Sequence, residues 1–209
     1  MDDTEEPGLD GAYALSGPAA ARRLYAEWAD RYDGGFAARS GYRPARRVAE
    51  TFTESGGRGA VLDAGCGTGL IADHLPEGIA IDGVDLSPEM LAQARAKGRY
   101  RRLVEADLTQ PLPVAPGYAG LVSAGTFTHG HVPPDALRPL VELLAPGGLA
   151  CIAANAGFAH ASGFDAVLAG LRRAGLIGAP RVDEEPIYGG EAPEGHREDT
   201  MLLVRFPRL

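Results

Sequence analysis

The chain has 209 residues, 45% of them hydrophobic and 23% charged, with a formal net charge of -8. That length suits one globular domain whose core needs no staple, and the two cysteines, Cys66 and Cys151, match no metal-ligand spacing, so no metal is expected. The negative charge opposes a phosphate backbone, no run of roughly 20 apolar residues could span a bilayer, and the acidic start lacks a secretory signal; nucleic acid, membrane function and export are disfavoured and a cytoplasmic location is expected.

Residues 1 to about 17 mix acids, Gly and Pro without hydrophobic periodicity and predict a disordered or loosely docked tail, with one domain over 18–209. Leu24, Trp28, Ala29 and Tyr32 recur at helical spacing up to Gly34-Gly35, predicting a first helix with one apolar side. A second helix should follow Pro44, turn Val48 and Phe52 inward and stop at Gly56-Gly57. Short apolar runs then alternate with helical stretches. Strands are predicted from Ala60 to Asp63, Ile79 to Val84, Leu103 to Glu105, Leu121 to Ala124 and Leu149 to Ala153. Helices fit from Leu70 to Leu75, Pro88 to Lys97, Pro134 to Leu144 and Phe164 to Ala174. This rhythm implies an α/β fold, a largely parallel sheet with helices on both faces. The basic run Arg99-Tyr100-Arg101-Arg102 reads as the solvated start of the third strand. Strands near Val182 and from Met201 to Phe206 are joined without a helix and must pair antiparallel.

The strongest chemical signal is Val61-Leu62-Asp63-Ala64-Gly65-Cys66-Gly67-Thr68-Gly69-Leu70, an apolar strand running into three glycines and a helix. Glycine there lets backbone approach a ligand, and the free amides of the turn point at a polar group beyond the strand's carboxyl end. The G-x-G-x-G spacing departs from the G-x-G-x-x-G of dinucleotide folds, which disfavours a nicotinamide cofactor. Asp85 closes the second strand, where a carboxylate can accept both hydroxyls of a ribose, with Leu86 against an adenine face; the plain alternative is a surface-turn aspartate before a Ser87 helix cap. Asp107 closes the third strand and is the candidate for the adenine amino group; the plain alternative is a turn cap before Pro111.

In this order, the motifs VLDAGCGTG, VDLSPEML, EADLTQPLP and LLAPGGLA resemble those of a class I S-adenosylmethionine-dependent methyltransferase over about residues 20 to 209. More narrowly, Tyr25, Trp28, Tyr32 and Tyr42-Arg43 make the chain similar to the methyltransferase-like family linked to the Williams-Beuren chromosomal region. The resemblance implies a single Rossmann-like, doubly wound sheet of seven strands, the last antiparallel, with an N-terminal helical lid. It also implies S-adenosyl-L-methionine as cofactor. Asp63 would anchor the glycine turn and approach the cofactor's amino group, Gly65 and Gly67 would give backbone access, and Asp85 and Asp107 would hold ribose and adenine. Tyr25, Trp28 and Tyr32 would cover the methionine moiety and Arg43 would meet its carboxylate. Ala64, Cys66, Leu86, Met90, Leu108 and Ala124 would complete the cofactor contacts.

The segment from Ser123 to Pro134 should border the transferred methyl group, and His129 and His131 are the candidate catalytic bases. The Gly130 break places His129 at the mouth of the fourth strand, nearer the acceptor, and His131 in the turn that starts the next helix. The family that the chain resembles implies an acid and an amide near these positions, so the acceptor chemistry is expected to differ. The expected reaction is methyl transfer to an O, N or C nucleophile of a small molecule. A cofactor-binding protein without transfer, or one using the sulfonium for another reaction such as a cyclisation, is the alternative.

Overall fold

Helix α1 (Pro44–Glu54) opens on a proline, whose missing amide costs nothing at a helix's first position, and buries Val48, Ala49 and Phe52. The computed structural model describes residues 22–24, 35, 37–189, 192 and 195–209. The predicted tail and the residues Tyr25, Trp28 and Tyr32 of the predicted lid lie outside them.

Seven strands follow α1: β1 (Ala60–Ala64), β2 (Ala80–Asp85), β3 (Arg102–Glu105), β4 (Tyr118–Phe127), β5 (Leu144–Asn155), β6 (Arg181–Pro186) and β7 (Thr200–Pro207). Helices α2 (Leu70–His74) and α3 (Pro88–Ala96) lie between the first three strands. A 3-10 turn (Pro134–Ala136) leads into α4 (Leu137–Glu142), and α5 (Ala156–Ser162) and α6 (Phe164–Arg173) separate β5 from β6. The sheet order is β3-β2-β1-β4-β5-β7-β6. Neighbours up to β5 are parallel, and β7 runs antiparallel to both β5 and β6.

Strand alternation builds two cores. Val61, Ile81 and Val122 pack on one face with Phe52 of α1 and Ile71 of α2. Leu62, Leu121 and Ile152 pack on the other with Leu137, Leu140, Phe164 and Leu168. Both faces are covered, as the near-continuous apolar strands require.

Several features differ from the sequence expectation: β5 starts at Leu144 rather than Leu149, and β4 at Tyr118 rather than Leu121. β4 runs to Phe127 rather than Ala124, and its pairing with β5 shifts register between Ala124 and Phe127, at Gly125, whose φ is +74°. Helix α5 was not expected, because its alanines and glycine show no apolar stripe; Asn155 starts it by accepting the Phe158 amide through its side chain at 2.9 Å.

The order of strands reverses direction between β1 and β4, which leaves a crevice beyond their carboxyl ends. No helix among the described residues is long and apolar enough to cross a membrane.

Candidate active site

The crevice is a cleft of about 1010 Å³, its open mouth included. The segments that leave β1, β2, β3 and β4 wall it, through Gly65 to Thr68, Asp85 to Ser87, Ala106 to Thr109 and Ala124 to Thr126. Positive φ angles at Gly65 (74°) and Gly67 (51°) give the turn after β1 a backbone conformation that other residues rarely adopt. Gly65 and Cys66 both donate their amides to the Val84 carbonyl, at 2.8 and 3.0 Å, which ties this turn to β2.

Asp85 sits at the centre of that tie. Its Oδ2 accepts the Gly67 amide at 2.8 Å and its Oδ1 accepts the Ser87 amide at 2.9 Å. Burial raises its pKa, and the amides of Ser87, Gly67 and Leu86 oppose that rise. Ser87 in turn caps α3, accepting the Met90 amide at 3.2 Å. Asp107 also caps a turn, its Oδ1 accepting the amide and hydroxyl of Thr109 at 2.8 and 2.7 Å. Each aspartate therefore has a local structural task and a place in the cleft wall.

Of the other expected site residues, Gly65, Cys66, Gly67, Leu86, Met90, Leu108 and Ala124 line the cleft. Asp63, Ala64 and Arg43 do not. Asp63 is fully buried, with Oδ2 accepting the Tyr100 hydroxyl at 2.7 Å and Oδ1 meeting no partner among the described residues. Burial pushes its pKa up to about 7 against the pull of the Tyr100 hydrogen bond, and the nearby Asp85 charge adds to the rise. The Ala64 carbonyl accepts the hydroxyls of Ser123 and Thr126. The Arg43 backbone amide donates to the Ile187 carbonyl at 2.9 Å, in the segment after β6.

The two histidines, both candidate bases from the sequence, face different surroundings. His131 lines the cleft, whereas the His129 ring packs edge-on against Phe158 of α5, 5.7 Å between centroids. A turn explains the difference. Gly130 has a φ of +72°, the His131 amide reaches back to the Thr128 carbonyl at 3.2 Å, and Val132 reaches the Thr126 carbonyl at 3.3 Å. The chain doubles back, which carries His129 onto α5 and returns His131 to the cleft. His131 Nδ1 lies 2.7 Å from the His129 carbonyl oxygen. A carbonyl only accepts, so Nδ1 carries the proton and Nε2 is the basic nitrogen of the neutral ring. Burial lowers the His131 pKa, which keeps the ring neutral.

Three cleft residues had no place among the sequence candidates for the site's chemistry. Tyr42 enters from the start of α1, Thr126 from the β4 bulge, and Arg22 from a short helical stretch, where it pairs with Glu105 at 3.1 Å. Tyr42 belongs to the Tyr42-Arg43 element and Thr126 to the Ser123–Pro134 segment, but neither carries a role of its own in the sequence reading, and Arg22 carries no signal.

Residues 62–152 match the family described as a methyltransferase domain. The human methyltransferase-like protein 27 is 33% identical over 176 residues, 79% of this chain and 71% of that relative. The chain belongs to this methyltransferase family. Solved methyltransferases share the fold. The N-methyltransferase NodS from Bradyrhizobium japonicum, in complex with S-adenosyl-L-homocysteine, is 19% identical with a TM-score of 0.57, over 78% of this chain and 85% of that one. A possible histamine N-methyltransferase from Thermotoga maritima is 16% identical with a TM-score of 0.63, over 89% and 98%.

The cleft of this methyltransferase fits S-adenosylmethionine. A carboxylate offers about four acceptor positions, so Asp85 keeps capacity for a ribose diol after holding its backbone amides. The apolar side chains of Leu86, Met90 and Leu108 supply walls for an aromatic base beside Asp107. When bound, the cofactor supplies an electrophilic methyl group on a sulfonium. The chain's part is to orient it and to exclude water.

Proposed function

We propose that this methyltransferase acts on an O, N or C nucleophile of a small molecule, and that where the acceptor carries a proton His131 removes it. The observation that carries the reading is the hydrogen bond of His131 Nδ1 to the His129 carbonyl, in a ring that lines the cleft beside Thr126. It fixes the tautomer whose Nε2 can act as a base. Proximity supplies most of the rate in an in-line displacement, and a base matters when the nucleophile must lose a proton. The net charge of -8 supports a small acceptor over a nucleic acid, since phosphates are repelled.

Incubation with methyl-labelled S-adenosylmethionine and separated pools of small metabolites, RNA and protein tests the reading. Label in the small-molecule pool is expected. Label in RNA or protein would overturn the acceptor class. Cofactor turnover without label transfer would favour a different use of the sulfonium, and binding without turnover a non-catalytic role.

A further inference from the structure

The basic run Arg99-Tyr100-Arg101 is not a plain solvated strand start. The Arg99 guanidinium donates to the carbonyls of Ala72 and Leu75 at 3.0 and 2.8 Å, at the end of α2. Arg101 grips Asp82 of β2 through Nε and a terminal nitrogen, at 3.0 and 2.7 Å. The flanking arginines thus fasten this segment to the helix that follows the glycine turn and to the strand that ends in Asp85.

Tyr100 points inward between them. Its ring occupies space that two glycines leave open: a Cβ on Gly69 would lie 2.8 Å from Cε2, and a Cβ on Gly83 would lie 2.9 Å from Cε1. Its hydroxyl donates to Asp63 Oδ2 at 2.7 Å, two residues before the first glycine of the turn. The other Asp63 oxygen is buried with no partner among the described residues. Tyr100 is not among the residues that line the cleft.

We propose that Tyr100 is a positioning residue for the cofactor, its ring bracing the glycine turn and its hydroxyl holding the Asp63 carboxylate beneath it. The site's carboxylates make this useful. S-adenosylmethionine carries positive charge on its sulfonium and ammonium, so an ionised Asp63 favours its binding through a poorly screened interior. Asp63 faces Tyr100, the Cys66 thiol and Asp85. Of these, the Tyr100 hydroxyl favours its charged form and Asp85 opposes it. Losing the hydroxyl should leave Asp63 protonated over a wider pH range.

Calorimetric titration of the full chain with S-adenosylmethionine, between about pH 5.5 and 8.5, tests this without reference to any acceptor. The wild-type Kd should tighten with a midpoint of about 7. In Tyr100→Phe, which keeps the ring, the Kd at neutral pH should weaken roughly tenfold and the midpoint should move upward. Asp63→Asn should abolish the midpoint, which separates Asp63 from His131, the histidine of the cleft wall. Lower thermal stability in Tyr100→Phe with Kd and midpoint unchanged would make Tyr100 a packing residue only and overturn the proposal. If Tyr100→Phe fails to fold, Gly69→Ala, whose Cβ would lie 2.8 Å from the ring with its three nearest atoms all on Tyr100, presses on it while keeping the hydroxyl; unchanged affinity in that variant, or a pH-independent wild-type Kd, would overturn it as well.

Discussion

Asp85 and Gly67 are joined by a hydrogen bond of 2.8 Å in which the carboxylate Oδ2 accepts the backbone amide. The residue proposed to hold the ribose therefore also sets the glycine turn after β1. Asp85→Ala should weaken S-adenosylmethionine binding at least about tenfold and, by leaving the Gly67 and Ser87 amides without acceptors, cost about 1–3 kcal/mol of stability. Asp85→Asn should rescue little, because its amide nitrogen would face one of two donors. Calorimetry and denaturant melts on the same samples check both effects. A fully stable Asp85→Ala protein would remove the structural half of the role.

The pH dependence of stability should carry Asp63's mark. Its folded pKa of about 7 lies above the ordinary value of about 3.9, so the folded state holds the proton more tightly. The resulting stabilisation is complete below the unfolded value and is lost as pH rises through the folded one. Compared with wild type, Asp63→Asn should gain stability progressively from about pH 4 to 7, by at most about 1.4 kcal/mol per pH unit, and the gap should level off above. Urea melts at a series of pH values read this difference. A constant gap would mean that Asp63 is ionised throughout.

His131→Ala should reduce turnover roughly 10²- to 10⁴-fold with an acceptor that must lose a proton, whereas His129→Ala should be mild. Burial lowers the His131 pKa, so the wild-type rate should hold through neutral pH and fall only below about 6.5, as the ring takes up its second proton. A large loss from His129→Ala with a mild effect of His131→Ala would return the assignment to the order expected from sequence, and equal losses would leave neither histidine singled out as the base.

Gly65 and Gly67 both have positive φ, yet their surroundings differ. A Cβ on Gly65 would lie 2.1 Å from the Thr126 hydroxyl, while one on Gly67 meets nothing within 4 Å. Gly67→Ala should cost about 1–2 kcal/mol from backbone strain alone. Gly65→Ala should cost clearly more, about 2–5 kcal/mol, since strain and overpacking add. Chemical denaturation of the two variants settles the ranking.

Arg47 of α1 reaches Glu185 of β6 through two parallel hydrogen bonds of 2.8 and 2.9 Å, and also reaches Glu50 at 2.6 Å. The pair is partly exposed, so Arg47→Ala should cost only about 1 kcal/mol, a fall in Tm of about 2–4 °C. Arg47→Lys should not restore it, because an ammonium cannot make the paired geometry. A lysine variant melting with wild type would show that charge alone matters there.

The parallel strands were legible because most are short apolar runs that end at or near a glycine or an acidic residue, as β1 does before Gly65 and β2 does at Asp85. Those signals are local. That His131 rather than His129 lines the cleft was not legible, since it depends on the β4 bulge and on a turn that folds back over Thr126. Tyr100 was read as surface because its neighbours are arginines, and only the tertiary fold reveals that both guanidiniums are spent on α2 and β2. A trace existed all the same: Gly83, inside an apolar strand, marks a place where another group comes close.

The placement of β7 between β5 and β6 has a consequence for the order in which the chain can assemble. During synthesis, residues 181–186 emerge before residues 200–207, yet β6 pairs with no strand of the sheet other than β7. Until the later strand arrives, β5 presents a bare row of amides and carbonyls on one side and β6 has nowhere to dock. The charged residues Arg181, Asp183, Glu184 and Glu185 keep the waiting strand soluble and unattractive to other edges. Vectorial synthesis can thus finish the cofactor crevice early, while the far side of the sheet closes in a single late step.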